Sequence, residues 1–140
     1  MDRLKVLHII LDDKFFDSVF NKFEKSQQFE NIALLFVKKI ENYQFQYIKN
    51  RDKVKLVDKK GFIKILLNNV YDIVFLHSLP VCLYKYVRII PKDKVIIWWG
   101  WGYDIYDSVY GMEPLLNVNL YKPLTLSILN NKKELFSHIK

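Results

Sequence analysis

Three short stretches of this chain carry side chains able to do chemistry. Asp12-Asp13-Lys14 offers two carboxylates beside a cation, and His77-Ser78 offers an imidazole beside a hydroxyl. The densest stretch is Ile96-Ile97-Trp98-Trp99-Gly100-Trp101-Gly102-Tyr103-Asp104-Ile105-Tyr106. It begins as an apolar, β-prone run and stops in glycines, aromatics and an aspartate. A carboxylate or an imidazole can take a proton from a hydroxyl, and histidine does so near neutral pH. Glycine lets backbone approach a ligand closely, and aromatic rings supply flat faces. Asp12, Asp13 and His77 are therefore the candidate catalytic residues. Ser78, Trp99, Gly100, Trp101, Gly102, Asp104 and Tyr106 are the candidate ligand contacts. Each has a plain structural alternative: aspartates cap helices, tryptophans fill cores, and glycines serve turns.

These residues need elements to position them. Lys5–Leu11 (KVLHIIL) and Asn31–Val37 (NIALLFV) are apolar runs expected of strands buried on both faces. Tyr71–Leu79 and Lys94–Trp99 read as further strands, and short strands at Phe45–Ile48 and Val54–Val57 are weaker signals. Phe15, Phe16, Val19, Phe20 and Phe23 recur at helical spacing and predict a helix ending near Ser26. Asp58 is placed to cap a helix through Phe62–Leu67, and Pro80 to open one over Val81–Ile90. Leu124–Ile139 reads as a terminal helix. This alternation predicts a Rossmann-like three-layer α/β/α domain with a mainly parallel sheet. Parallel strands all end on one side, so Asp13, His77 and Asp104 are expected around one cleft at the carboxyl edge. No G-x-G-x-x-G follows the first strand and no Walker lysine motif occurs, which disfavours a dinucleotide or P-loop site.

Composition narrows the class further. A chain of 140 residues, 51% hydrophobic, suits one globular domain. Its apolar runs fall far short of the roughly 20 residues that span a bilayer. The start, Met1-Asp2-Arg3-Leu4-Lys5, leads straight into a strand with no signal-peptide pattern, so a cytoplasmic location is expected. The single cysteine, Cys82, sits among Leu79, Val81 and Leu83 and reads as a buried, inert thiol. His8 reads as a core histidine with a backbone partner, and His138 as solvated. No His/Cys/Asp cluster has metal-ligand spacing, and neither a metal nor a resident cofactor is expected. The formal charge is +7, and Lys38–Lys64 carries nine basic residues against three acidic ones. Such a surface suits nucleic acid, anionic lipid or phosphorylated ligands. Arginine is confined to Arg3, Arg51 and Arg88, which argues against bidentate base reading. Phe62, Ile63, Leu66 and Leu67 beside the lysines suggest weak peripheral contact with an anionic membrane, unless those four face the core.

KVLHIIL-DDKF, the strand ending in His77-Ser78-Leu79, WWGWGYDIY and the later LYKPLT together resemble the amino-terminal part of bacterial glycosyltransferases. The resemblance is to the TDP-N-acetylfucosamine:lipid II N-acetylfucosaminyltransferases, the 4-α-L-fucosyltransferase family. Its tryptophan-glycine-x-aspartate-x-tyrosine stretch is matched by Trp101-Gly102-Tyr103-Asp104-Ile105-Tyr106. The resemblance implies one half of a GT-B fold, acting in cell-surface polysaccharide synthesis. Residues 1–121 would form the acceptor-side domain, receiving a glycan or lipid-linked acceptor. Residues 122–140 would form a helix leading to a second domain that holds most of the nucleotide-sugar donor. On that reading this chain alone transfers no sugar. Broader GT-B relatives carry His-Gly-x-Asp/Glu at a similar place; here Trp101 precedes Gly102, so no histidine role carries over.

Two other classes compete. Asp12-Asp13 after the first strand suggests a flavodoxin-like or receiver-like signalling module, but the strand ending in His77-Ser78 offers no phosphorylatable aspartate. A basic nucleic-acid-binding module would use Tyr43, Phe45 and Tyr47, which alternate near Lys49 and Arg51.

Overall fold

The structure is a computed structural model, and it describes residues 2–100. Five strands are linked in the order β1 (Leu4–Ile10), β2 (Phe29–Phe36), β3 (Val54–Val57), β4 (Ile73–Leu76) and β5 (Val95–Trp98). Three α-helices lie between them: α1 (Phe16–Glu24), α2 (Lys59–Leu67) and α3 (Tyr84–Val87). Every strand pair is parallel, and the spatial order is β3-β2-β1-β4-β5. This is an α/β, Rossmann-like fold, as the alternating pattern predicts.

The register sorts the core. His8, Ala33 and Phe75 are Cα partners across β2, β1 and β4, so they share one face of the sheet. On that face Ile10, Ala33, Leu35 and Val54 pack with Phe16 and Phe20 of α1. The opposite face packs Leu7, Leu34, Val74 and Leu76 against Phe62 and Leu66 of α2 and Tyr86 of α3. A strand buried on both faces has no room for a polar alternation, which is why β1 reads LKVLHII.

Several local expectations are corrected. Phe45–Ile48 is irregular, because the Gln46, Tyr47 and Ile48 N–H groups are bonded to the Asp12 carboxylate and not to a neighbouring strand. The expected helix Val81–Ile90 is a 3-10 turn at Val81–Leu83 followed by the four-residue α3. Its backbone favours i to i+3 bonds: Leu83 donates to the Pro80 carbonyl, Ile89 to Tyr86 and Ile90 to Val87. β-Branched Val87, Ile89 and Ile90 ahead of Pro91 support no longer helix. Cys82 is exposed, because the tight turn brings Leu83 inward instead. The run expected to be a buried last strand is half-open: Val95 to Trp99 are 41–55% exposed.

Helix α2 has the cap foreseen for it. Asp58 is extended, and its carboxylate accepts from the Gly61 N–H at 2.7 Å. Replacing Asp58 by alanine is expected to lower stability by about 1 kcal/mol, read as a shifted urea midpoint with an unchanged slope. The same helix turns part of its apolar face into the core. Phe62 and Leu66 are fully buried, leaving Leu67 as the open apolar residue of the four. Among the described residues, no helix is long and apolar enough to cross a membrane.

Candidate functional site at the carboxyl edge

Open α/β sheets bind ligands outside the carboxyl ends of their strands, at the point where the strand order reverses. Here the chain goes outward from β1 through β2 to β3, then returns to add β4 beside β1. The reversal point therefore lies between the β1–α1 loop, which holds Asp12 and Asp13, and the residues after β4, which begin with His77-Ser78. Because β1 and β4 are parallel, Asp13 and His77 both follow strand ends on this side of the sheet. Asp104, Trp101, Gly102 and Tyr106 lie outside the described residues, as do His138 and the stretch Leu124–Ile139 expected to be helical.

Sharing an edge has not left the aspartates open. Asp12 accepts four hydrogen bonds: from the Tyr43 hydroxyl at 2.9 Å, and from the N–H groups of Gln46 at 2.6 Å, Tyr47 at 3.0 Å and Ile48 at 3.0 Å. Partial burial acts to raise its pKa, but the Gln46, Ile48 and Tyr47 amides and the Tyr43 hydroxyl outweigh it, and the net shift is downward. A carboxylate with occupied lone pairs and a lowered pKa is a poor base. Tyr43 shows the other side of the contact: burial, and then its bond to Asp12, push its hydroxyl up to about 12. Asp13 accepts from the Phe15 and Phe16 N–H groups at 2.7 and 3.0 Å and starts α1. Both aspartates hold backbone N–H groups of the segments around this edge.

Asp17 belongs with them, although its sequence position gave no hint. From the first turn of α1 it accepts from the Lys49 and Asn50 N–H groups at 2.9 and 3.2 Å. Asp12 and Asp17 thus pin the basic segment from both ends of one turn. The aromatics in that segment fold inward with it. Tyr43 packs edge-on against Phe45 at 5.4 Å, and Arg51 lies over Phe45 at 5.6 Å. Only Tyr47 of the three alternating rings is exposed, so they do not form a stacking stripe for nucleic acid.

His77 and Ser78 are placed differently. His77 continues the β4 ladder, donating its N–H to the Ile9 carbonyl at 3.0 Å, and its side chain is buried. Its Nε2 meets Nδ1 of His8 at 2.9 Å, and Nε2 of His8 meets Oδ1 of Asn31 at 3.0 Å. His8 therefore has side-chain partners, and not the backbone partner expected. Burial pushes His8 down to about 4, against the Asn31 bond and the Glu24 charge. Burial, then repulsion from His8, pushes His77 down to about 3. Both rings are neutral at pH 7. Phe20, Phe23 and Phe75 surround His8 with centroids 4.7–5.6 Å away.

The Ser78 hydroxyl is buried and has no hydrogen-bond partner among the described residues. Stranding a hydroxyl costs roughly 1–3 kcal/mol, so such an atom marks a place built for something else. Beside it, Trp99 extends the β5 ladder by donating to the Leu76 carbonyl at 2.9 Å. Its ring meets Phe75 edge-on at 6.0 Å and is 43% exposed. The site thus offers a buried imidazole, a buried hydroxyl and a half-open indole. Gly100 closes the described chain just beyond.

Among the described residues, no group of three His, Cys, Asp or Glu side chains could hold a metal ion. A concavity of about 590 Å³ opens at the opposite, amino edge, among Asp2, Arg3, Lys5, Glu30 and Asp72. Its charges are mixed, and the Lys5 N–H already bonds Asp72 at 2.8 Å. It lies away from the reversal point.

No family model matches this chain, and no curated protein matches it. One solved structure, described as RSP in complex with β-NADH, aligns over 99% of this chain at 17% identity with a TM-score of 0.42. This chain spans 64% of that protein's length. What the five parallel strands and their flanking helices establish is the class: an α/β, Rossmann-like domain.

Proposed function

We propose that the carboxyl edge binds a hydroxyl-bearing sugar, as the acceptor side of a glycosyltransferase acting on a glycan or lipid-linked acceptor. The observation that carries this reading is the buried Ser78 hydroxyl, without a hydrogen-bond partner among the described residues and next in sequence to His77 at the strand-order reversal. A hydroxyl and a neutral imidazole suit an uncharged, hydrogen-bonding ligand, and the half-open Trp99 ring offers a face for the apolar side of a sugar. The resemblance carried by Trp101–Tyr106 supplies the reaction class. In such a transfer the acceptor oxygen bonds to the sugar carbon, the bond from that carbon to the diphosphate breaks, and a base takes the acceptor proton. A histidine held near pKa 3 is a weak base. His77 therefore orients the acceptor hydroxyl, while Asp12 and Asp13 shape the loop around it. The nucleotide-sugar donor would be held mainly by a second domain.

The test is a titration of isotope-labelled protein with methyl glycosides, followed by NMR. Shifts centred on His77, Ser78 and Trp99 are expected. Ser78→Ala should weaken binding about tenfold, the equivalent of one hydrogen bond at 1.4 kcal/mol. No response to any glycoside, or a response confined to the amino-edge concavity, would remove the reading.

A further inference from the structure

The partners of His77 form a single line through the fold. Lys53 donates to Oε2 of Glu24 at 2.9 Å. The Asn31 Nδ2 donates to Oε1 of Glu24 at 3.1 Å. The Asn31 Oδ1 meets His8 Nε2 at 3.0 Å, and His8 Nδ1 meets His77 Nε2 at 2.9 Å. Four separate elements contribute: the 3-10 turn Arg51–Lys53, α1, β2 and β1. The line ends at the carboxyl edge.

Its polarity is determined from one end. The Lys53 bond, foremost, holds the Glu24 carboxyl below its usual range against the cost of burial, so Glu24 is ionised and only accepts. Asn31 must then turn its NH2 towards Glu24 and its oxygen towards His8. An amide oxygen only accepts, so His8 carries its proton on Nε2. A neutral imidazole has one N–H, which leaves His8 Nδ1 as an acceptor. His77 must donate to it from Nε2. His77 Nδ1 is consequently a bare lone pair, and no donor among the described residues meets it. We propose that the Glu24–Asn31–His8 line is a positioning device that locks His77 in the Nε2–H form, so that the site selects ligands presenting a hydroxyl or N–H donor to Nδ1.

The line orients and does not conduct. A proton taken up at His77 Nδ1 could pass from Nε2 to His8, but the next group is the Asn31 amide oxygen, which has no proton to relay onward to Glu24. The acceptor character of His77 is thus fixed by the line and does not depend on a ligand. A ligand carbonyl or ether oxygen placed at Nδ1 would face lone pair against lone pair, and it would lose the bond that a hydroxyl makes. This specificity rests on the proposed hydroxyl-binding role of the edge, but the tautomer itself does not.

The experiment therefore has two arms. Two-bond nitrogen–proton correlation NMR on the ligand-free protein reads the protonation of each ring nitrogen. We expect one His77 form, with a protonated Nε2 and an unprotonated Nδ1; a protonated Nδ1 would overturn the proposal. Glu24→Gln, at an exposed helix end, keeps the shape but lets the side-chain amide donate or accept. Asn31 is then free to turn over, and the His77 Nδ1 resonance should move towards the protonated range with native amide dispersion retained. An unmoved resonance would show that the line does not set the tautomer. In the second arm, wild-type protein is titrated with methyl glycosides and their O-methylated counterparts, in which each O–H is an ether. Loss of binding on O-methylation, relieved in part by Glu24→Gln, is the expected selectivity. Equal binding of both series would overturn the selection. If no glycoside binds while the first arm succeeds, the sugar-binding reading fails and the positioning line stands.

Discussion

Replacing Asp12 by alanine should destabilise the protein by about 3 kcal/mol and free the loop that the carboxylate holds. One side chain satisfies three backbone N–H groups and a tyrosine hydroxyl across more than thirty residues of sequence. Hydrogen bonds to a charged group contribute roughly 1.5–3 kcal/mol each in favourable cases. Asp12 is only partly buried, so water competes for its donors and the sum is much reduced. Hydrogen exchange should quicken selectively at Gln46, Tyr47 and Ile48, and Ile48, now 1% exposed, should become accessible. Asp12→Asn keeps one acceptor oxygen and should lose about half as much. The lowered pKa adds a pH signature. A depressed carboxyl contributes stability above its unfolded-state pKa and loses it as pH falls through the folded value. The gap between wild type and Asp12→Ala should therefore close in strong acid. Unchanged exchange at all three amides would show that the loop is held by other means.

Acidification should reveal the histidine pair. His8 falls from 6.5 to about 4 and His77 from 6.5 to about 3 on folding, both mainly through burial. Between those values and 6.5 the unfolded chain binds more protons than the folded one, so stability must fall as pH falls through this window. A shift of 2.5 units on one ring corresponds to roughly 3 kcal/mol. The two rings do not contribute independently, because they touch. We expect the urea midpoint to drop steeply from pH 6.5 to about 4. The double variant His8→Leu with His77→Leu should flatten that part of the curve while remaining folded at pH 7, since removing both partners strands fewer groups than removing one. His8→Leu alone leaves His77 Nε2 and Asn31 Oδ1 unpaired and should be the less stable protein at neutral pH. A midpoint that does not change between pH 6.5 and 4 would mean that the rings are solvated.

The sequence alone determines the scaffold of this protein. Apolar runs such as LKVLHII and FENIALLF separated by helical spacing leave few arrangements other than a parallel sheet with helices on both faces. Burial is a local demand, repeated along each strand, so it is written into the order of residues. The same holds for Asp58, whose role as a cap needs only the residues that follow it. Pairing of polar groups is not local. Asp12 and Asp13 are neighbours of the same type, yet one starts α1 and the other holds a loop more than thirty residues away. His8 and His77 are separated by 69 positions and become one unit only because β4 returns to lie beside β1. The strand run Val95–Trp98 is apolar enough to be central, yet each of its residues is more than 40% exposed, which its composition does not reveal. Hydrophobic spacing could say which residues go inside; only the tertiary structure could say which buried polar atoms would meet there, and that Ser78 would find no partner among the described residues.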